Sequence, residues 1–242
     1  MNLCIDQGNT HTKLAVFDKD LLVFKTAFEN ADWVSFEQTL DDFDMQSAIV
    51  SSVANIPESL IHYIQKKQLF LIELNAQTKL PITNLYKTPE TLGKDRLAAV
   101  VGAQSLKPNQ DILVVDIGTA ITYDFIDASG NYHGGDITPG IDLRLKSLHE
   151  FTANLPWVVF NEEINFLGDD TISAIQSGVL YGIVSEIDGY IERLQDKYKE
   201  LSVFLTGGSS VYFEKRLKSG IFANANLVLI GLNRILEYNV KN

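Results

Sequence analysis

The 242-residue sequence predicts an α/β fold assembled from two similar halves. Three observations point there. Strand-like and helix-like patterns mix within each half, which is the signature of that class. Two segments roughly half a chain apart repeat one another, which indicates a duplicated domain. A hydrophobic content of 45% and a charged content of 21% are those of a folded chain, and the length suffices for two domains of roughly 100–130 residues each.

The first element is a hairpin. In LCIDQGNTHTKLAVFD, Leu3 to Asp18, an apolar run breaks at Asp6-Gln7-Gly8 and resumes with alternating apolar residues. That pattern is two antiparallel strands around a tight turn. Ser47–Val53 reads as a buried strand, Pro57–Gln68 as a helix and Phe70–Leu74 as a short strand. Pro89–Leu106 reads as a loop leading into a helix that begins near Asp95. The Pro/Asn/Gln/Asp stretch Lys107–Asp111 marks a boundary, which divides the chain into domains 1–109 and 110–242.

The second half restarts the pattern. ILVVDIGTAITYDFID, Ile112 to Asp127, aligns with the first hairpin through Asp6 and Asp116, Gly8 and Gly118, and Thr12 and Thr122. Gly134–Gly140 (GGDITPG) reads as a rigid double turn, and Trp157–Phe160 (WVVF) as a hydrophobic strand. Ile172, Ile175, Val179, Ile183, Ile187, Ile191 and Leu194 recur at three and four, predicting a long amphipathic helix. Gly178 and Gly182 on it leave room for another backbone. Val203–Leu205 is a strand running into Thr206–Ser210, and a last helix falls near Asn226–Tyr238.

With 20 Lys+Arg against 31 Asp+Glu, the net charge is −11. This disfavours nucleic-acid phosphates and anionic membranes as main partners. A single cysteine, Cys4, excludes an internal disulfide and leaves no zinc cluster. No apolar run approaches the roughly 20 residues that span a bilayer, and no signal-peptide pattern opens the chain. The expectation is a soluble cytoplasmic protein.

Glycine-rich turns bind phosphates because the backbone comes close and several N–H groups point at the anion. Three such turns occur: Asp6–Thr10, Asp116–Thr119 and Thr206–Ser210. Neither GxxxxGK[ST] nor GxGxxG is present, so the P-loop and dinucleotide fingerprints are absent. Two hairpins from two half-domains are expected to face each other across a cleft and hold a polyphosphate. Asp6 and Asp116, at the mouths of their strands, suit Mg²⁺ or another hard cation, or else are satisfied by local amides. Lys13 is either a phosphate contact or a solvated lysine. In Gly93-Lys94-Asp95-Arg96, Asp95 is either a helix N-cap or a general base for an alcohol. Arg96 is either a surface residue or the bidentate partner of a substrate carboxylate. The four histidines show no metal spacing.

DQGNTHTK (Asp6–Lys13), YKTPETLGKDR (Tyr86–Arg96), DIGTAITYD (Asp116–Asp124), GGDITPG, TANLP (Thr152–Pro156) and TGG (Thr206–Gly208) follow one another along the chain. Together they resemble the type III pantothenate kinases. The resemblance implies two duplicated ribonuclease-H-like domains of the actin, sugar-kinase and heat-shock ATPase superfamily, with a cleft between them. It implies ATP-dependent phosphorylation of pantothenate to 4'-phosphopantothenate, the first step of coenzyme A biosynthesis, by a cytoplasmic homodimer.

Residue by residue, the resemblance implies that Asp6, Gln7, Gly8, Asn9, Thr10, His11, Thr12 and Lys13 bind ATP, with Asp6 near Mg²⁺. Thr119 is then a further nucleotide contact, and Asp116 the ligand of a monovalent cation, K⁺ or NH₄⁺. Asp95 corresponds to the base that deprotonates the pantothenate hydroxyl. Tyr86, Gly93, Lys94 and Arg96 correspond to pantothenate-binding positions, and Thr171 to a contact contributed by the partner subunit. Gln7 and Arg144-Leu145-Lys146 depart from the family's usual wording. Two other readings keep the fold: a kinase for another small hydroxy or carboxylate acceptor, and a nucleotide-binding regulator without catalysis.

Overall fold

The computed structural model describes residues 1–8, 11–30, 37–52, 56–161, 164–218 and 220–241. In chain order its elements are β1 (Asn2–Gln7), β2 (His11–Asp18), β3 (Leu21–Glu29), α1 (Glu37–Leu40), β4 (Ser47–Ser52), α2 (Glu58–Lys66), β5 (Phe70–Glu73) and β6 (Thr83–Asn84). A turn of 3₁₀ helix at Pro89–Thr91 precedes α3 (Lys94–Leu106). Then come β7 (Ile112–Ile117), β8 (Ala120–Ile126), β9 (Asn131–Pro139), α4 (Ile141–Glu150), α5 (Thr171–Lys197), β10 (Ser202–Thr206), α6 (Val211–Glu214), β11 (Phe222–Ala223) and α7 (Leu227–Lys241). The fold is mixed α/β with two sheets.

The chain forms two compact units. One comprises Met1–Pro108, Gly130–Tyr132 and the stretch from Asn226; the other comprises Asn109–Ser129 and His133–Ala225. The last helix, which the division at 109/110 assigns to the second half, belongs with the first unit. Its packing shows why. A Cβ on Gly231 of α7 would lie 1.7 Å from the Ala98 carbonyl oxygen, and one on Gly102 of α3 would lie 2.3 Å from that of Leu227. Two glycines thus let α3 and α7 pack backbone to backbone. Consequently α3 is buried from Arg96 to Ala103 without interruption, which is why its sequence shows no polar face.

In the first unit the sheet runs β3-β2-β1-β4-β5, with β1 antiparallel to β2 and parallel to β4. Leu3, Ile5, Leu14, Val16, Ala48 and Val50 pack under Leu60, Tyr63 and Ile64 of α2. Cys4 is fully buried on β1, and burial pushes its thiol up, so it supplies no reactive thiolate. β6 pairs in parallel with Asn131 and Tyr132.

In the second unit the sheet follows the same plan, β9-β8-β7-β10-β11, with β7 antiparallel to β8 and parallel to β10. The predicted long helix is α5, and Ile175, Val179, Ile183, Ile187 and Ile191 seat it on Leu113, Val115 and Ile121. Among the described residues, nothing lies within 4 Å of a Cβ placed on Gly178 or Gly182, so neither is used for close packing within the chain.

Strand register refines the internal repeat. Asp6 lies opposite Lys13, whereas Asp116 lies opposite Thr122. The first hairpin is therefore one residue longer, and the counterpart of Thr122 is Lys13 rather than Thr12.

Two local expectations are corrected. Gly134–Pro139 continues β9 instead of forming a double turn; Gly135 fits because a Cβ there would meet the Tyr123 carbonyl at 1.5 Å. Trp157–Phe160 forms no strand, and it leaves Trp157 and Val159 exposed while Val158 is buried. An apolar run without a sheet edge beside it does not make a strand.

Candidate active site

In the first unit the site is assembled at the ends of two parallel strands and the start of a helix. β1 ends in Asp6-Gln7, and register places Ser51 of β4 beside Asp6. Burial pushes the Asp6 carboxyl up to about 6, and the neighbouring Asp95 carboxylate adds to this. Lys13, across the hairpin, and the Ser51 hydroxyl act in the opposite direction without cancelling it. Two carboxylates are thus held close enough to repel, an arrangement that a cation relieves.

Asp95 sits in the first turn of α3, where Gly93 is the N-cap and no side chain caps the helix. The capping alternative for Asp95 is therefore set aside: its Oδ1 accepts from the Arg96 N–H at 2.8 Å. A Cβ on Gly93 would lie 2.6 Å from Asp95 Oδ1, so glycine leaves the carboxylate its place. Arg96 is 6% exposed, not a surface residue. Its guanidinium lies 5.7 Å from the centre of the Tyr86 ring, which stacks on Tyr132.

The remaining predicted residues divide by where their side chains go. Lys94 Nζ donates to the Ser52 carbonyl at 2.9 Å, and the Ser52 hydroxyl donates to Gln7 Oε1 at 2.8 Å. Gln7 and Lys94 thereby tie β1, β4 and α3 together. Thr12 is buried and its hydroxyl donates to Asn30, whose amide donates to the Gly8 carbonyl. Gly8 N–H bonds the His11 carbonyl, and His11 and Lys13 are exposed. Asn9 and Thr10 lie outside the described residues. Sequence reasoning missed Ser51 and Asn30. The small polar end of SAIVSS, so like the Thr206 end of β10, was the available signal for Ser51.

In the second unit three bends meet around Asp116. Gly118 N–H bonds the Ala120 carbonyl to close the hairpin, and Gly140 N–H bonds the Thr119 carbonyl, both at 3.0 Å. A Cβ on Gly140 would lie 2.3 Å from the Gly118 carbonyl oxygen. On the other side Gly207, at φ +94°, would bring a Cβ within 2.5 Å of Asp116 Oδ1. Only glycine meets both demands. Ser209 N–H then bonds the Ile117 carbonyl at 3.1 Å. Thr119 is exposed at the tip. Opposite Asp116, the Thr122 hydroxyl is buried with no hydrogen-bond partner among the described residues. Thr171, exposed, opens α5 directly after its N-cap Asp170, which forms a capping box with Ser173, beside a groove of about 630 Å³ shared with Arg144, Leu148 and Leu155.

Both cations implied by the sequence meet suitable donors. The Asp6 carboxylate and the Ser51 hydroxyl beside it are hard oxygens. That combination suits Mg²⁺, which uses one or two carboxylates plus substrate phosphates rather than an all-protein cage. Asp116 and the orphaned Thr122 oxygen are likewise a hard, oxygen-only pair.

Two sheets of one topology, each with an aspartate at the mouth of its first strand and a tight hairpin after it, define an actin-type, ribonuclease-H-like ATPase fold. Solved structures agree. A protein from Campylobacter jejuni, described as a conserved putative Baf family transcriptional activator, matches with TM-score 0.65 at 24% identity over 99% of this chain and 100% of that one. A putative N-acetylmannosamine kinase from Listeria monocytogenes matches with TM-score 0.57 at 14% identity over 100% and 99%. Within that fold, the family model for type III pantothenate kinase matches residues 2–193. The type III pantothenate kinase of Phocaeicola vulgatus is 48% identical over 100% of both chains. The chain belongs to the type III pantothenate kinase family.

Proposed function

We propose that the protein transfers the γ-phosphoryl group of ATP to the primary hydroxyl of pantothenate, giving 4'-phosphopantothenate and ADP. The observation that carries this reading is the cluster in the first unit: Asp6 beside Asp95, with buried Arg96 and Tyr86 alongside. One carboxylate serves a phosphate-bound cation and the other an alcohol.

Asp95 orients the hydroxyl and takes its proton as the oxygen attacks the γ-phosphorus and the bond to the ADP oxygen breaks. Arg96 holds the pantothenate carboxylate through two parallel N–H bonds, and Tyr86 keeps the guanidinium in plane beneath it. Asp6 to Lys13 bind the phosphates of ATP, and Thr119 is a further nucleotide contact. Mg²⁺, when bound at Asp6, neutralises phosphate charge; K⁺ or NH₄⁺ at Asp116 does so for the second hairpin. Gln7 and Thr12 belong to the ATP-binding bend and Lys94 to the pantothenate site, and their hydrogen bonds also shape these segments. Positioning and charge complementarity supply most of the rate.

The protein acts in the cytoplasm as a homodimer in which Thr171 of one copy reaches the partner's substrate. No helix among the described residues is long and apolar enough to cross a membrane. The test is ADP release coupled to a panel of small alcohols, with ATP, Mg²⁺ and varied K⁺ or NH₄⁺. Only pantothenate should stimulate turnover. Stimulation by a different acceptor, or ATP binding with no turnover at all, would overturn the assignment.

A further inference from the structure

One carboxylate in the second unit collects more hydrogen bonds than its position on a helix flank requires. Glu186, on α5, accepts from the Tyr123 hydroxyl of β8 and the Thr138 hydroxyl of β9, each at 2.7 Å to Oε1. Its Oε2 accepts from Arg144 Nη2 of α4, also at 2.7 Å. Arg144 Nε donates to the Pro139 carbonyl at 2.7 Å, so the guanidinium bridges Glu186 and the residue just before Gly140. Four elements are thereby joined through one acid.

The network continues to the Asp116 bend. Gly140 follows Pro139, its N–H bonds the Thr119 carbonyl, and there is no space between it and the Gly118 carbonyl for even one carbon. Any displacement of Pro139–Gly140 must move Gly118 and Thr119. Two arms reach this connection from the side: Arg144 Nε bonds the Pro139 carbonyl, and Glu186 accepts from Thr138 next to it. Burial disfavours ionised Glu186, yet the bonds from Arg144, Thr138 and Tyr123 hold its carboxyl below the usual range, so it is charged at neutral pH.

We propose that Glu186 is a positioning residue for the nucleotide-contacting bend at Gly118–Thr119, acting through Arg144 and Thr138 on Pro139–Gly140. The inference rests on the reading of that bend as part of the ATP site. Glu186 touches no substrate. Its work is to give a surface hairpin the fixed geometry that phosphate recognition needs, by anchoring it to the longest helix of the unit.

The test uses the full-length protein and a non-hydrolysable ATP analogue with Mg²⁺, followed by calorimetry. Glu186→Gln keeps an oxygen for Tyr123 and Thr138 but points an N–H₂ at the Arg144 donor, breaking that arm alone. Its analogue Kd should rise about tenfold, with the pantothenate KM within twofold of wild type. Tyr123→Phe removes one donor while keeping the ring stacked on Tyr190; its analogue Kd should rise about threefold. Arg144→Lys, which keeps the charge but loses the Pro139 arm, should fall between wild type and Arg144→Met.

A purely structural role would lower the unfolding temperature and leave the affinity of the folded protein unchanged. That result in both Glu186→Gln and Tyr123→Phe would overturn the proposal while the ATP-site reading stands. Failure of wild type to bind the analogue would remove both together. Because binding is read without pantothenate, a wrong acceptor leaves this test intact.

Discussion

Replacing Asp6 with asparagine should make the ligand-free protein more stable at pH 8 while abolishing most of its turnover. Asp6 titrates near 6 in the folded chain against an ordinary 3.8, chiefly because burial disfavours its charge and Asp95 repels it. The folded state therefore binds this proton more tightly than the unfolded state does. For a raised carboxyl the stabilising contribution is present below pH 3.8 and is lost as pH rises through 6. Above that, carrying the ionised group costs about 3 kcal/mol, each pH unit of difference being worth about 1.4.

Asparagine carries no such cost. The variant should exceed wild type by up to about 3 kcal/mol at pH 8, about half of that at pH 5 and about a fifth at pH 4. For a chain of this size 3 kcal/mol is about 6–12 °C in Tm. Thermal unfolding of both proteins, without nucleotide and with divalent ions chelated, reads the difference directly. Turnover with saturating ATP and pantothenate should meanwhile fall at least a hundredfold. A difference in Tm that stays constant from pH 4 to pH 8, or that has the opposite sign at pH 8, would refute the assignment of strain to this carboxylate.

Other outcomes follow from the same geometry. Asp95→Asn should lower kcat by about 10²–10⁴ and leave the affinity for an ATP analogue within twofold; steady-state kinetics with wild-type turnover would end the base assignment. Arg96→Ala should raise the pantothenate KM by about 10- to 100-fold, the worth of a charged hydrogen-bonded contact, with little change in the KM for ATP. Gly231→Ala, far from the chemistry, forces α7 off the Ala98 carbonyl. It should cost about 3 kcal/mol, read as a Tm about 6–12 °C lower, with KM values unaltered in the protein that remains folded.

Much of the architecture was legible because hydrophobic period and turn chemistry are local. The α5 pattern at three and four, the hairpins around Asp6 and Asp116 and the strand of SAIVSS all announce themselves within a dozen residues. The Trp157–Phe160 run shows the limit: its apolar character is real, but a strand requires a neighbouring edge, which composition does not specify. Gly134–Pro139 failed in the other direction, because Gly135 is there for close approach to Tyr123 and not for a turn.

The site was legible in the same uneven way. Asp95 and Arg96 stood out as an acid and a guanidinium at a helix start, but only the folded chain shows that Arg96 is buried against Tyr86 while Asp95 stays exposed within reach of Asp6. The spacing of the two repeats suggested Thr12 as the counterpart of Thr122, and only register showed that the longer hairpin substitutes Lys13. Side chains such as Gln7 and Lys94 stand out because they sit in the motifs, whereas their hydrogen bonds to Ser52 are set by the tertiary structure.

By itself, then, the amino-acid order determined which segments form strands, helices and glycine bends, and which residue types stand ready for phosphate and alcohol chemistry. Those are properties of neighbours along the chain, set by backbone sterics and side-chain period. Tertiary structure alone decided which carboxylate is strained, which arginine is buried and which acid anchors a bend from across a unit. Burial and charge repulsion depend on distances in space, and those distances exist only once the chain has closed on itself.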